Sequence, residues 1–240
     1  ALHGGGGSGR QFEANTGLTA KAREAGFVVA YPDGSRGPSG LRTWNAGGCC
    51  AAASATDVDD VAFLAALIET LVASHGVDPR RVYAVGHSNG GMMAYRLACE
   101  RPDRVAAVGS SAVPLMVESC TPERPVPVMH LHSALDRHVP VDGGVGTGPS
   151  RVEFPPVADT LATWAGLDGC EGSPTVEALT GHTRTTWEPC RDGSEVVLLL
   201  TGDGGHSWPG GAGAPLSGDP AASLSANDAL WSFLAPHRLP

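Results

Sequence analysis

Short apolar runs alternate along this chain with longer segments in which apolar residues recur every three or four positions. The apolar runs lie at residues 27–31, 82–85, 105–112, 126–131 and 195–201. Runs of this length without polar alternation are typical of strands that are buried on both faces. Because helices cover such strands, the pattern predicts an α/β fold, a mostly parallel sheet with helices on both faces.

A long amphipathic helix is predicted between the first two runs. In residues 57–75, apolar side chains recur at steps of three and four residues, which places them on one helix face. Thr56 or Asp57 is predicted to cap its start and Gly76 to end it. Residues 90–100 are predicted to form another helix, which stops before a proline.

The remaining segments add a terminal helix, a hairpin and loops. Residues 225–234 are predicted to be helical, and residues 174–188 to form a hairpin. Residues 34–55 and 142–151 are rich in small residues and are predicted to be loops. Since no repeat or linker divides the chain, we predict a single domain over residues 1–240.

Composition and charge exclude several classes of protein. The chain has 240 residues, of which 42% are hydrophobic and 17% charged, enough to bury a sizeable core and too apolar for a disordered protein. Its net charge of −9 argues against general binding to nucleic acid or to an anionic membrane surface. No apolar run approaches the roughly 18 residues needed to span a bilayer, so no membrane span is predicted.

The six cysteines indicate an exported protein. An even number without C-x-x-C spacing favours disulfides over zinc, and disulfides favour an oxidising, extracellular location. The predicted pairs, each of which brackets a short local excursion, are Cys99–Cys120 and Cys170–Cys190. The adjacent Cys49 and Cys50 either bond to each other or pair elsewhere. The alternative is a cytosolic protein with buried free thiols.

Residues 86–90 carry the strongest chemical signal. They read Gly-His-Ser-Asn-Gly and lie between an apolar run and a predicted helix, the setting that the G-x-S-x-G motif requires. The sharp turn from strand to helix exposes the serine hydroxyl, and side chains at the flanking glycines would clash with it. Ser88 is therefore the predicted nucleophile; the alternative is a glycine-rich turn with an incidental serine.

A serine hydroxyl needs a base, and in this strand–turn–helix setting the base follows the acid in chain order. His206 lies in a glycine-rich loop directly after the apolar run 195–201, where a strand end would hold it. His237 is the rival, but it lies among terminal residues without such a frame. His206 is the predicted base.

The acid is predicted to follow the preceding strand. Asp136 lies just beyond the run 126–131, where it can orient the imidazole of His206. Asp142 and Asp203 are the rival candidates, one downstream of the same run and the other close to His206 in sequence. Asp136 best satisfies both the chain order and the strand-end placement.

A glycine-rich segment at residues 3–9 supplies a candidate oxyanion hole. Ester hydrolysis passes through a tetrahedral oxyanion, which two backbone N–H groups can stabilise. We predict that these belong to Gly5, with Gly4 as the alternative, and to Asn89. The other interpretations are a flexible linker or a phosphate-binding loop, but the nucleotide motif G-x-x-x-x-G-K-[ST] is absent.

Six short motifs in a fixed order resemble those of the secreted esterase family of polyhydroxybutyrate depolymerases, feruloyl esterases and acetylxylan esterases. They are His3–Gly7, Trp44 followed by Cys49-Cys50, Asp57–Leu64, Gly86–Gly91, His132 with Asp136–Pro140, and Gly204–Gly211. The resemblance covers nearly the whole chain and implies an α/β-hydrolase fold. It implies a triad of Ser88, Asp136 and His206, and it implies no cofactor.

The chain departs from that family at two places. Ser133 follows His132 where family members usually have glycine. Family members also have several strands ahead of their His-Gly motif, whereas here the motif begins at residue 3. We therefore expect the N-terminal strands of the fold to be missing from the sheet.

Aromatic and histidine side chains suggest how a substrate would bind. Trp44 and Trp208 are candidates for the walls of an acyl pocket, the alternative being that both pack in the core. His87 borders the nucleophile and is a candidate substrate contact. His130, His132 and His138 suggest a metal site, and the first two alternate on one strand, so a zinc pair is conceivable; no third ligand has clear spacing and no metal is predicted.

Together these patterns predict a secreted serine carboxylic-ester hydrolase that acts through an acyl-enzyme. Its partner would be an ester substrate, a polyester or a plant cell-wall ester, and the number of chains in its assembly is left open. Two alternatives remain: an amidase or peptidase on the same fold, and a non-catalytic binding domain on a hydrolase scaffold.

Overall fold

Strands and helices alternate in the computed structural model of this chain, which describes residues 1–214 and 218–240. The strands are β1 (Ser35–Arg36), β2 (Arg42–Thr43), β3 (Tyr83–His87), β4 (Ala107–Ser111), β5 (Val128–Ser133), β6 (Gly144–Val145), β7 (Glu153–Phe154), β8 (Thr175–Leu179), β9 (His182–Trp187) and β10 (Val196–Thr201). The α-helices are α1 (Gly9–Thr16), α2 (Leu18–Ala25), α3 (Ala51–Ala55), α4 (Asp60–His75), α5 (Asn89–Glu100), α6 (Val157–Leu167) and α7 (Ala226–Leu234).

Six of the strands form one central sheet in the order β3-β4-β5-β10-β9-β8. The first four are mutually parallel, and the hairpin β8–β9 adds two antiparallel strands beyond β10. The predicted mostly parallel sheet and the hairpin are both confirmed. Because β3, β5 and β10 run in one direction, the loops that follow them leave the same edge of the sheet.

Helices cover both faces of the sheet, as predicted. On one face, α5 packs against β3 and β4, and its Met92, Met93 and Tyr95 are buried together with Trp164 of α6. On the other face, α7 packs against β4 and β5 and helps to bury a second apolar cluster, which includes Phe12 of α1. The core thus has two layers, which is why the central strands are apolar on both sides.

Residues 27–31 do not form the predicted strand. Within the described residues, this segment has no ladder of strand hydrogen bonds: the amino group of Ala1 donates to Ala30 O, Phe27 N donates to Ala22 O, and Tyr31 Oη bonds to Thr19 Oγ1. Leu2 already donates to Val85 O and bridges to Gly86, so its backbone pairs with β3 instead. An apolar run cannot become a strand unless a neighbouring strand satisfies its backbone hydrogen bonds, and this run is not buried as expected, since Val28 is 58% exposed.

Four helices, α1, α2, α3 and α6, and the short strands were not predicted from the pattern. Segments 34–55 and 142–151 are not purely loops as predicted, since the first contains β1, β2 and α3 and the second contains β6. Helix α1 begins where Ser8 Oγ accepts a hydrogen bond from Gln11 N and ends at Gly17, which has a positive φ. Helix α4 begins later than expected, since its N-cap is Asp59 and not Thr56 or Asp57. Gly76 ends it, as predicted.

The disulfides follow the predicted local pairing. Cys99 bonds to Cys120, and Cys170 bonds to Cys190. Cys49 and Cys50 bond to each other, which decides between the two alternatives that the sequence left open. In residues 1–214 and 218–240, no helix combines the length and apolar character that a membrane span requires.

Candidate active site

Ser88 lies at the sharp turn between β3 and α5. Its φ of +54° and ψ of −131° are unusual for a residue with a side chain, and its N–H is held by Ser111 O at 2.9 Å. A Cβ on Gly86 would overlap the backbone of Gly90, and a Cβ on Gly90 would overlap the carbonyl of Leu2. The two glycines of the motif are therefore required by close backbone packing.

A line of hydrogen bonds joins the three side chains predicted as a triad. His206 Nε2 lies 2.9 Å from Ser88 Oγ, and His206 Nδ1 lies 2.7 Å from Asp136 Oδ2. The three residues follow β3, β5 and β10, so the parallel sheet brings together side chains that are far apart in sequence. In this geometry Ser88 Oγ can donate to the imidazole while Nδ1–H donates to the carboxylate.

Asp136 is buried but well supplied with donors. Its Oδ1 accepts from the backbone N–H groups of His138 and Val139 at 2.9 and 3.0 Å. Burial pushes the pKa of this carboxyl upward, but the hydrogen bond from His206 and the backbone donors outweigh burial and leave the pKa lowered. The carboxylate is therefore ionised and can stabilise a protonated imidazole.

The segment that carries the candidate oxyanion hole is clamped to the nucleophile turn through Trp44. Asn89 Oδ1 accepts from Trp44 N at 2.7 Å, and Asn89 Nδ2 donates to Trp44 O at 2.9 Å. The indole N–H of Trp44 donates to His3 O at 3.0 Å, and His3 Nε2 accepts from Gly34 N at 2.9 Å. The backbone on both sides of Ser88 is thus fixed by buried side chains.

Gly4 and Gly5 approach the nucleophile turn closely. A Cβ on Gly4 would lie 3.4 Å from the Cβ of Ser88, and a Cβ on Gly5 would lie 3.7 Å from the Cβ of Asn89. In the described part of the chain, the N–H groups of Gly5 and Asn89 have no protein acceptor. Two unused donors therefore lie beside the reactive hydroxyl, as an oxyanion hole requires.

Neither predicted aromatic wall faces the site. Trp44 is fully buried in its clamp, and Trp208 is 1% exposed. Trp208 donates to Asn227 Oδ1 and packs edge-on against Phe12. Both indoles lie in the core, the alternative that the sequence left open, and they offer no surface to a substrate in this structure.

Two other imidazoles flank His206. The ring of His87 lies 4.9 Å from it and that of His138 lies 5.4 Å away, nearly parallel. Burial, and then the proximity of His206, lower the pKa of His87 to about 3, so His87 is a neutral neighbour. From sequence, His138 is considered only as part of a metal site, although its position two residues after Asp136 also predicts a place beside the triad.

The rival candidates lie elsewhere. Asp142 is exposed, and Asp203 accepts a hydrogen bond from Ser223 N. His237 faces Glu195, with 3.5 Å between His237 Nε2 and Glu195 Oε1. Among residues 1–214 and 218–240, no group of three or more His, Cys, Asp or Glu side chains is arranged to hold a metal ion.

Comparison with known proteins places the chain in a family. The sequence signature described as "Esterase PHB depolymerase" matches residues 1–159. The chain belongs to this esterase family. Feruloyl esterase B of Piromyces equi is 33% identical over 84% of the chain, and feruloyl esterase C of Emericella nidulans is 32% identical over 90%. The chain spans 38% of the length of the first relative and 67% of the second.

The fold of the chain is also found in a solved structure. The acetyl xylan esterase from Aspergillus awamori matches 98% of the chain and 86% of its own length, with a TM-score of 0.66. Its sequence identity is 17%, so this likeness shows the fold alone. The predicted α/β-hydrolase fold is confirmed.

Proposed function

We propose that this esterase-family protein is a serine carboxylic-ester hydrolase, with residues 1–240 as one catalytic domain. The observation that carries the proposal is the hydrogen-bonded line from Ser88 Oγ through His206 to Asp136. Each link has hydrogen-bond length, and with a hydrogen on His206 Nδ1 the Nε2 atom can accept the proton of Ser88, as an acyl-transfer triad needs.

In the proposed mechanism, Ser88 Oγ attacks the ester carbonyl carbon while His206 Nε2 takes the hydroxyl proton. Asp136 holds the imidazole by its Nδ1–H and stabilises the imidazolium that forms. The N–H groups of Gly5 and Asn89 donate to the carbonyl oxygen as it becomes an oxyanion. When the C–O bond breaks, His206 returns the proton to the leaving alcohol and the acyl group stays on Ser88.

The second half of the reaction reverses these roles. Water gives a proton to His206 as its oxygen attacks the acyl carbon, and a second oxyanion forms in the same hole. Collapse of this intermediate expels Ser88 Oγ, which recovers its proton from the imidazole. The products are one carboxylic acid and one alcohol for each water consumed, and the cycle uses no cofactor.

The proposed substrates are esters of the polyhydroxybutyrate, feruloyl or acetyl class. Relatives named as feruloyl esterases and a fold neighbour named as an acetyl xylan esterase support this range. Three disulfides support an extracellular location. A panel of aryl-acid esters, short acyl esters and a soluble hydroxybutyrate oligomer would rank the three classes by kcat/KM.

A fluorophosphonate probe tests the nucleophile directly. We expect the probe to label the protein and Ser88→Ala to abolish both labelling and hydrolysis of p-nitrophenyl acetate. Ser74→Ala, which alters an exposed serine of α4, is the matched control and should behave as the parent does. Labelling that persists in Ser88→Ala contradicts the assignment, and a parent without labelling or turnover would favour a binding domain.

Matched ester and anilide substrates separate the proposed activity from amide hydrolysis. We expect the ester to be hydrolysed much faster, because an alkoxide leaves more readily than an amine that must first be protonated. Equal acylation rates on the two substrates would favour an amidase or peptidase.

A further inference from the structure

A chain of buried polar side chains leads from α5 to the carboxylate of Asp136. Tyr95 Oη lies 2.8 Å from His130 Nδ1, and His130 Nε2 lies 3.1 Å from His132 Nδ1. His132 Nε2 lies 2.9 Å from Val139 O and 3.6 Å from Asp136 Oδ2. The tyrosine and both histidines are at most 1% exposed. The proposed mechanism uses none of these three side chains.

One arrangement of protons satisfies every link. The carbonyl of Val139 can only accept, so His132 Nε2 carries a hydrogen. Burial lowers the pKa of both histidines, so each is neutral, and His132 Nδ1 must accept from His130 Nε2–H. His130 Nδ1 then accepts from the Tyr95 hydroxyl, whose pKa burial raises. The hydrogen bonds therefore all donate in the same direction, from the hydroxyl of Tyr95 through His130 to His132, whose Nε2–H is the last donor.

The Nε2 atom of His132 that donates to Val139 O also lies beside the oxygen of Asp136 that binds His206. The separation of 3.6 Å is too long for a hydrogen bond, but it brings the positive end of a buried N–H dipole close to the anion. A neutral imidazole stabilises the carboxylate without neutralising it. A protonated His132 would instead compete with His206 as the cationic partner of Asp136.

We propose that His132 is a positioning residue for Asp136, held in its neutral Nε2–H form by His130 and Tyr95. The inference rests on the proposed role of Asp136 in the triad. Tyr95 belongs to the helix that starts beside Ser88, and the histidines belong to the strand that leads to Asp136. The same chain therefore ties the element that carries the nucleophile to the element that carries the acid.

Two substitutions of His132 separate this role from simple packing. His132→Leu removes the N–H, whereas His132→Gln places an amide N–H near the position of Nε2. We expect kcat to fall about tenfold in His132→Leu with KM unchanged, the loss of one favourable contact to a charged group. In His132→Gln we expect kcat to stay within about threefold of the parent, because the donor is restored.

The pH profile supplies a readout that packing alone would not move. His206 is faced by Asp136, His87 and His138, none of which the substitutions change. Without the N–H dipole, Asp136 holds the protonated form of His206 more strongly. We therefore expect the acid limb of kcat/KM to move to higher pH in His132→Leu and to stay in place in His132→Gln.

Tyr95→Phe tests the chain from its far end. It deletes one hydroxyl and leaves the ring. It therefore tests the hydrogen bonds from Tyr95 to His132 even where His132→Leu fails to fold. Since the donor to His130 is lost, only the carbonyl of Val139 still fixes the proton order, and the Nε2–H form of His132 is held more weakly. We expect a fall in kcat of about threefold and the same shift of the acid limb, with unchanged near-UV circular dichroism.

The outcomes distinguish this inference from the proposed function. Full activity in Ser88→Ala or Asp136→Asn would overturn the triad itself. An inactive Asp136→Asn together with a folded His132→Leu that keeps the parent's kcat and acid limb would overturn only the role of His132. If His132→Leu does not fold, parental kinetics in Tyr95→Phe overturn it, and the expected shift supports it.

Discussion

Two buried carboxylates lie at opposite ends of the same pair of strands. Asp136 follows the carboxyl end of β5 and meets His206, which follows β10. Asp168 ends α6 and lies before the amino ends of both strands, where its carboxylate accepts from Val126 N and from the hydroxyl of Ser194. Burial raises the pKa of Asp168 to about 6, whereas the pKa of Asp136 is lowered.

The difference lies in the donors that each carboxylate receives. Asp136 is held by two backbone N–H groups and an imidazole that becomes cationic, so its charged form is stabilised against burial. Asp168 receives one backbone N–H and one hydroxyl, which do not offset burial even with Arg124 and Arg191 nearby. Burial alone therefore does not determine the ionisation of a carboxyl, and the end of the sheet at which we propose the chemistry is the end rich in donors.

The largest expected effect separates the two carboxylates by activity. In Asp136→Asn, the amide cannot hold His206 in the tautomer that accepts from Ser88, so kcat on p-nitrophenyl acetate should fall about 10⁴-fold. Asp168→Asn is the matched control, and its kcat should stay within about twofold of the parent because the site is remote. Equal losses in the two variants would show that the two ends do not differ in function.

A smaller effect is expected where the backbone of the site packs most closely. A Cβ in Gly90→Ala would overlap the carbonyls of Leu2 and His3, and main-chain atoms cannot turn aside as a side chain can. Displacement of the oxyanion segment should lower kcat about 100-fold or more. Gly166→Ala is the control: this exposed glycine of α6 has free space around it, and alanine should stabilise the protein by about 0.5–1 kcal/mol.

A substitution near the amino ends of the strands should change the stability of the protein and leave kcat unchanged. Replacing Cys170 and Cys190 by serine removes a disulfide that joins residues 20 positions apart in sequence. Cys170 lies two residues after Asp168. The free energy of unfolding in urea should fall by about 3 kcal/mol, since the unfolded chain is no longer constrained. The kcat measured at urea concentrations well below the unfolding midpoint should be unchanged. A large loss of kcat would indicate that the two ends of the sheet are coupled.

The smallest effect is a pH dependence at Asp168. Its pKa of about 6 in the folded protein lies above the ordinary value of 3.8, so folding favours the protonated form. This contribution is complete at low pH and is lost as the pH rises from about 4 through about 6, at most about 3 kcal/mol. Urea unfolding at pH 4, 5, 6 and 7 should show this decline in the parent relative to Asp168→Asn; parallel curves would contradict the raised pKa.

Much of the candidate site could be predicted because its signals are local. Gly86 and Gly90 are required by a turn of five residues, so the pattern around Ser88 carries its own geometric reason. His206 and Asp136 could be chosen because parallel strands deliver their following loops to one edge. The boundaries of α4 and the helix α1 were harder, since caps such as Asp59 and Ser8 compete with equally suitable polar neighbours.

Local pattern therefore selects the candidates for nucleophile, base and acid, because chain order and strand ends are properties of the sequence. Tertiary packing decides what surrounds them. Trp44 reads equally well as a pocket wall or as core, and only the fold turns its indole toward His3 O. The proton order from Tyr95 to His132 likewise exists only because a helix and a strand pack together, since no sequence spacing records a contact between separate elements.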